Sequence, residues 1–183
     1  MTRIISGSAR GRTLKVPTAG TRPTSDRVRE SIFNSLQHRL GTWQNLRVLD
    51  LFAGSGAFAF ESLSRGAAHA TAVDKAATAI DIIKTNGATL AMNVTAVKRD
   101  ADAFIKHYAG QAFDIVFIDP PYEYASESVT ALLGHLMDRG VVAPGGVLVV
   151  ERSARSEPFF VPDPLTEADH RSIGETSVHT LVW

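Results

Sequence analysis

The sequence predicts a doubly wound α/β domain built on a mostly parallel sheet, entered through a basic N-terminal β-hairpin. Three observations carry this reading: five strands alternating with four helices between Arg47 and Glu151, strands that are almost continuously apolar, and a separate start rich in Arg and Gly. Strands apolar on both sides need cover on both faces, which is the property of parallel sheets. Right-handed crossovers then wind the chain both ways from the first strand.

Each element has a local reason. Arg3–Ser6 and Thr13–Val16 read as short strands joined by a Gly- and Arg-rich turn and closed by Pro17. Ser25–Leu40 reads as a helix, with Val28, Ile32, Phe33, Leu36 and Leu40 at helical spacing, Ser25 as N-cap and Asp26 in the first turn. Strand Arg47–Phe52 runs through a Gly turn into a helix over Ala57–Arg65. Strand Ala70–Asp74, helix Ala76–Ala91, strand Val94–Lys98 and a short helix Asp102–Tyr108 follow. Phe113–Asp119 is a strand, Ser126–Asp138 a helix, and Val147–Glu151 a strand after the turn Pro144-Gly145-Gly146. The tail, Glu157–Trp183, holds three prolines and an alternating Ser177–Trp183, and supplies one or two final strands in an order the pattern leaves open. A length of 183 residues suits one domain, a basic arm over 1–24 on a body over 25–183.

Net charge is zero, yet the first 47 residues carry nine Lys/Arg against Asp26 and Glu30, so +7 at this end is balanced by −7 over the rest. A basic start on an acidic body suits an anionic partner such as nucleic acid. The absence of cysteine excludes disulfides, thiolate metal sites and a cysteine nucleophile, and with it the usual route to cytosine C5 methylation. The six histidines show no HExxH and no close pairing in sequence, so no metal is expected. No apolar run approaches the roughly 18–20 residues of a membrane span, and the start has no signal-peptide pattern. The expected location is the cytoplasm.

In VLDLFAGSG a strand meets a glycine turn that opens a helix, the place where open α/β sheets bind ligands. Asp74 ends the second strand and can accept hydrogen bonds from both ribose hydroxyls of an adenosine cofactor. Gly54–Ala59 fits the alanine form of the dinucleotide fingerprint G-x-G-x-x-G/A, and equally the acid-x-x-x-G-x-G pattern of S-adenosylmethionine sites with Asp50 as the acid. Asp50 favours the second, because a carboxylate holds a cationic amino group and repels a pyrophosphate. Asp100, ending the third strand in Arg99-Asp100-Ala101, can hold an adenine amino group. The candidate cofactor set is Asp50, Phe52, Gly54, Ser55, Gly56, Asp74, Lys75, Asp100 and Ala101.

The fourth strand runs into Asp119-Pro120-Pro121-Tyr122. Two prolines fix φ, remove backbone donors and leave carbonyls as acceptors. The Asp119 carboxylate and the Pro120 carbonyl can accept both protons of an exocyclic amine, which raises lone-pair density on its nitrogen for attack on a sulfonium methyl. Tyr122 offers a face for base stacking. Asp119, Pro120, Pro121 and Tyr122 are the candidate catalytic residues. Arg10, Arg12, Arg22, Arg27 and Arg29 form a candidate RNA surface, arginine being suited to phosphates and stacked bases. The competing reading of that cluster is a solvated helix face, with an arginine tying the arm to the body.

RIISGSARGRTLKVP, TRPTSDRVRESIFNSL, LDLFAGSGAFAFESLSRGA and FIDPPY, in this order and spacing, resemble the RsmD family of bacterial 16S rRNA guanine-N2 methyltransferases. The resemblance is strong over about residues 3–125 and more general at Gly145–Glu151. It implies a class I methyltransferase fold, Rossmann-like, with seven strands of which the last is antiparallel. It also implies S-adenosylmethionine as cofactor, methylation of the 2-amino group of one guanine in 16S rRNA, the small ribosomal subunit as partner, and a monomer. By position, Asp50, Gly54 and Gly56 take the cofactor-turn roles, Asp74 the ribose role, Asp100 the adenine role, and Asp119 to Tyr122 the acceptor site, with the arm facing RNA. Phe58 and Phe60 stand where relatives tend to have smaller or aliphatic residues, and Ile173 where an aromatic is expected, so no role is carried onto the tail. An adenine-N6 enzyme, a protein-glutamine enzyme (usually Asn before Pro-Pro), an NADP-dependent oxidoreductase and a non-catalytic rRNA-binding factor are the alternatives.

Overall fold

Side chains that alternate across each strand divide the interior into two layers, and this division organises the molecule. In the computed structural model, which describes residues 2–17 and 24–183, a central sheet of seven strands has the order β5-β4-β3-β6-β7-β9-β8. The strands are β3 (Arg47–Leu51), β4 (His69–Asp74), β5 (Thr95–Lys98), β6 (Phe113–Ile118), β7 (Val142–Ser153), β8 (Thr166–Ile173) and β9 (Thr176–Val182). The first five pair in parallel, while β9 runs antiparallel to both β7 and β8. This is the class I methyltransferase arrangement, with the last strand reversed.

Val48, Ala72, Phe117 and Val149 face a layer made with α1 (Asp26–Leu40), α2 (Ala57–Ser64) and α3 (Ala77–Leu90). Leu49, Val73, Val116 and Val150 face the opposite layer, with α4 (Ala101–Lys106) and α5 (Ser126–Asp138). Phe58, an expected departure, stacks on Phe117 at 4.6 Å, and Phe33 packs on Phe117 at 5.5 Å. Phe60 is fully buried. Helix α1 starts as its sequence signals: Ser25 Oγ accepts the Val28 amide at 3.2 Å.

Two features differ from the sequence reading, and the tail, whose order it left open, takes the two-strand form. The turn Pro144-Gly145-Gly146 does not precede β7 but bulges within it: Val142 pairs with Phe113, Val147 with Ile115, and the Gly145 amide donates to the Trp183 carbonyl. The tail forms a full hairpin, β8 and β9, closed by Gly174 and Glu175, and β9 slots between β7 and β8. The N-terminal ladder is shorter than expected: β1 (Thr2–Arg3) pairs with β2 (Thr13–Leu14) through only two residue pairs.

The short ladder has a physical cause. The Ile5 and Ser6 amides leave the hairpin and donate to the fully buried Glu61 of α2, at 2.7 and 3.0 Å, and Arg65 Nε donates to the same carboxylate at 2.8 Å. The Ala9 amide donates to Ser64 Oγ, and the Ser8 amide to the Ser64 carbonyl. Gly7 sits at φ +83°, and a Cβ there would lie 1.8 Å from the Ser64 carbonyl oxygen, so this close approach needs glycine. Ile4, Ala9 and Leu14 are buried in the α1–α2–α3 layer. The hairpin is therefore packed onto the body.

Glu61→Ala strands two backbone donors and a buried guanidinium. The expected cost is about 3–5 kcal/mol in urea unfolding, with faster hydrogen exchange at Ile5 and Ser6. Unchanged exchange at these amides would refute the anchoring role.

Candidate active site

The strand order reverses between β3 and β6, and the carboxyl ends of these strands form the crevice where doubly wound sheets bind ligands. A cavity of about 520 Å³ opens there, within the range of cofactor pockets. After β3 the chain turns sharply. Phe52 has φ +62°, Gly56 caps α2 in the left-handed region at φ +76°, and the Gly56 amide donates to the Ala53 carbonyl at 2.7 Å. A Cβ on Gly56 would press on Phe60 at 3.0 Å, so the conformation and the packing both select glycine.

Asp74 pins this turn. Its Oδ2 accepts the Gly54 amide at 2.9 Å and its Oδ1 the Ala76 amide at 2.8 Å. Each carboxylate oxygen keeps a further lone pair, so the group still offers acceptors to the cavity it lines. Phe52, Gly54, Ser55, Lys75, Asp100 and Ala101 line the cavity as well. Asp100 also caps α4, accepting the Ala103 amide at 3.2 Å.

Two members of the cofactor set lie elsewhere. Gly56 and Asp50 sit behind the wall; Asp50 is buried and accepts the Ala59 amide at 3.1 Å. Burial drives the Asp50 carboxyl well above the ordinary carboxylate range, and Asp119 and Asp74 add to the rise. Its present contact is therefore structural, holding the first turn of α2 against β3.

Asp119 to Glu123 form the opposite wall. The Tyr124 amide donates to the Pro121 carbonyl at 2.9 Å and closes this turn. Among the described residues no donor reaches the Pro120 carbonyl. Tyr122 is 65% exposed, a free aromatic face at the cavity mouth. Tyr124 packs edge-on against Phe52 at 5.2 Å, its hydroxyl donates to Asp102 at 3.0 Å, and its carbonyl accepts Arg152 Nη1 at 2.7 Å. Burial and the neighbouring Asp102 raise the Tyr124 phenol, which stays neutral.

Behind Asp119 lies a cluster that sequence reading missed. Ile118 pairs with Val150, so Asp119, directly after β6, lies beside Glu151, which is still within β7. Thr24 Oγ1 lies 2.8 Å from Asp119 Oδ2 and 3.2 Å from Glu151 Oε2. Burial raises both carboxyls, Asp119 to about 6; Glu151 rises further, because Asp119 faces it as well. The two acids titrate together, each holding a proton more readily than an ordinary carboxyl. The available signal was the one already used for Asp74, Asp100 and Asp119: an acid at the carboxyl end of a parallel strand.

The arginines divide. Arg10 and Arg27 are exposed, and Arg12 is exposed with one Nη2 bond to the Thr89 carbonyl. Arg22 lies outside the described residues. Arg29 is corrected: it is fully buried, with Nη2 donating to the Arg3 carbonyl at 2.6 Å and to Asp26 at 2.7 Å, and its charge acts on Glu151. It ties the hairpin to α1 and is removed from any RNA-facing surface.

Two histidines that lie apart in sequence meet in the fold. The β8–β9 ladder sets His170 opposite His179, with rings stacked at 4.2 Å and Glu167 bonded to His179 Nδ1. Glu167, His170 and His179 present potential ligand atoms within 4.8 Å of one another, away from the cavity lining. Among the described residues no helix is long and apolar enough to cross a membrane.

Thr24→Val removes a hydrogen bond that favours the ionised carboxylates. The Asp119 carboxyl is expected to titrate above about 6 in the variant, read by carbon NMR of labelled Asp side chains. An unmoved titration would show that Thr24 does not couple to the pair.

Comparison with known proteins places these residues in a wider set. The family model described as "Conserved hypothetical protein 95" matches residues 2–182. The chain is 38% identical to "Putative rRNA methyltransferase YlbH" of Bacillus subtilis over 160 residues, 85% of this chain and 84% of that one. It is 40% identical to "Ribosomal RNA small subunit methyltransferase D" of Escherichia coli over 162 residues, 87% and 79% of the two chains. The solved "Putative methyltransferase yhhF from Escherichia coli" superposes with a TM-score of 0.84 at 35% identity, covering 98% and 96%. A putative methylase, HI0767 of Haemophilus influenzae, superposes at 0.80 with 29% identity, covering 99% and 97%. With the fold, the glycine turn and the Asp-Pro-Pro-Tyr wall all present, the chain belongs to this RsmD-like family.

Proposed function

We propose that the protein is an S-adenosylmethionine-dependent methyltransferase that modifies the exocyclic N2 amine of a guanine in 16S rRNA of the small ribosomal subunit. The observation that carries the reading is the pairing of two acceptors, the Asp119 carboxylate and the undonated Pro120 carbonyl, between a cofactor-type turn and the exposed Tyr122. The relatives named as small-subunit rRNA methyltransferases support the substrate class.

The cavity fits the cofactor by its donor set: Asp74 for the ribose, Asp100 for the adenine amine, and the Phe52–Ser55 turn and Lys75 around them. When bound, S-adenosylmethionine supplies an electrophilic methyl group on a sulfonium. The chain does the rest by positioning. Asp119 and Pro120 accept the two amine protons and orient the nitrogen lone pair, while Tyr122 stacks on a base that has left its helix. Asp119, ionised above about pH 6, takes the proton that the amine sheds once it carries the methyl group, and passes it to water.

Two experiments test this. Labelled cofactor with small subunits lacking the modification is expected to yield N2-methylguanosine, and Asp119→Ala to reduce transfer by at least 10³-fold (an order-of-magnitude expectation) with cofactor binding retained. Label on adenine, or loss of cofactor binding in that variant, would overturn the acceptor assignment.

The exposed Arg10, Arg12 and Arg27, with Arg22, form the proposed RNA-facing surface of a single-domain, monomeric, cytoplasmic enzyme. Arg10→Glu with Arg12→Glu is expected to weaken RNA binding and to lower its salt dependence by about two phosphate contacts. An unchanged salt slope would remove the hairpin from the interface.

A further inference from the structure

The buried cluster behind Asp119 has a chemistry that amine positioning alone does not use. Resting on the reading above, we propose that Glu151 is the specificity-determining residue for the base: its Oε1 accepts the N1–H of the guanine whose amine is held by Asp119 and Pro120.

Four observations support this. Glu151 lines the same cavity as Asp119 while only 8% exposed. In-register pairing of Ile118 with Val150 places the two acids side by side, Asp119 just past β6 and Glu151 within β7, on backbones about 4.8 Å apart, which suits neighbouring donors on one base edge. Thr24 Oγ1 reaches both acids, at 2.8 and 3.2 Å, but a hydroxyl has one proton and satisfies only one of them at a time. Among the described residues Glu151 Oε1 has no protein donor. Among the described residues the cluster thus offers the cavity an acceptor without a donor, which a donor on the ligand completes.

Arg29 stands behind this arrangement. It is fully buried, its Nε and Nη1 have no hydrogen-bond partner among the described residues, and its charge favours the ionised form of Glu151. A proton carried on Oε2, toward Asp119 and Thr24, still leaves Oε1 an acceptor, so the contact does not depend on which acid is ionised.

The base chemistry then decides. Beside its 2-amino group guanine presents N1–H, a donor. Beside its 6-amino group adenine presents only ring acceptors, N1 and N7. A second acceptor next to Asp119 is matched by guanine and left unpaired by adenine. An unpaired buried polar group of this kind costs about 10- to 100-fold in discrimination.

The test replaces the target guanosine, by ligation into 16S rRNA and reconstitution of subunits, with 2-aminopurine riboside. This base keeps the 2-amino group but has a lone pair at N1. The unmodified protein is expected to prefer guanine by about 10- to 100-fold in single-turnover kcat/KM. Glu151→Gln, whose carboxamide can donate to N1, is expected to narrow the preference to within about three-fold. Glu151→Asp, which keeps the carboxylate, is expected to retain it at a lower rate. A Gln variant that slows both bases equally, with the ratio unchanged, would overturn the Glu151 assignment and leave the guanine reading intact. Failure of the unmodified protein to methylate guanine would instead overturn the reading on which it rests.

Discussion

In-register parallel pairing decides where the chain leaves the sheet. Leu51 lies beside Val73 and Ile118, and Ile118 beside Val150, so the next residues, Phe52, Asp74, Asp119 and Glu151, stand at one level. Each of those positions is an acid or opens the glycine turn. The cavity is a consequence of this alignment: a slip of one residue in any of these strands would exchange its two faces, burying the polar exit and breaking both apolar layers at once. The hydrophobic cores therefore enforce the geometry of the site, although no core side chain takes part in the chemistry.

Crowding four carboxyl groups, Asp50, Asp74, Asp119 and Glu151, at one end of a sheet carries an electrostatic cost, and the protein meets it in three ways. Asp74 accepts two backbone amides and stays exposed to the cavity. Asp50 and Glu151 are raised by burial, so that each takes a proton more readily than an ordinary acid. Arg29 contributes a buried positive charge facing Glu151. Asp119 rises less, to about 6. Such separation of neighbouring carboxyl groups by their environments is a recurrent way to assign distinct roles to like residues.

The N-terminal hairpin links this electrostatic arrangement to the proposed RNA surface. Glu61 and Ser64 hold its backbone, Asn86 clamps Lys15 through both its amide groups, and Arg29 bonds the Arg3 carbonyl. Val16, Pro17 and Thr24 line the cavity, so the chain that carries the exposed arginines also contributes to the wall of the reaction site.

Local chemistry made much of this legible. Apolar runs bounded by Gly, Pro and acids marked the parallel strands, Ser25 marked the start of α1, and the Gly54-Ser55-Gly56 and Asp119-Pro120-Pro121-Tyr122 turns were readable because each encodes its own backbone shape within a few residues. The remainder depended on contacts across long sequence separations. Thr24 meets Asp119 and Glu151 from 95 and 127 residues away, and Glu61 reaches back 56 residues to Ile5. Arg29 reads as one more surface cation until the hairpin and α1 close over it. An arginine or a carboxylate has the same sequence signature whether water or a buried partner satisfies it, so burial and pairing, the properties that set its charge and its role, were decided only when the chain folded.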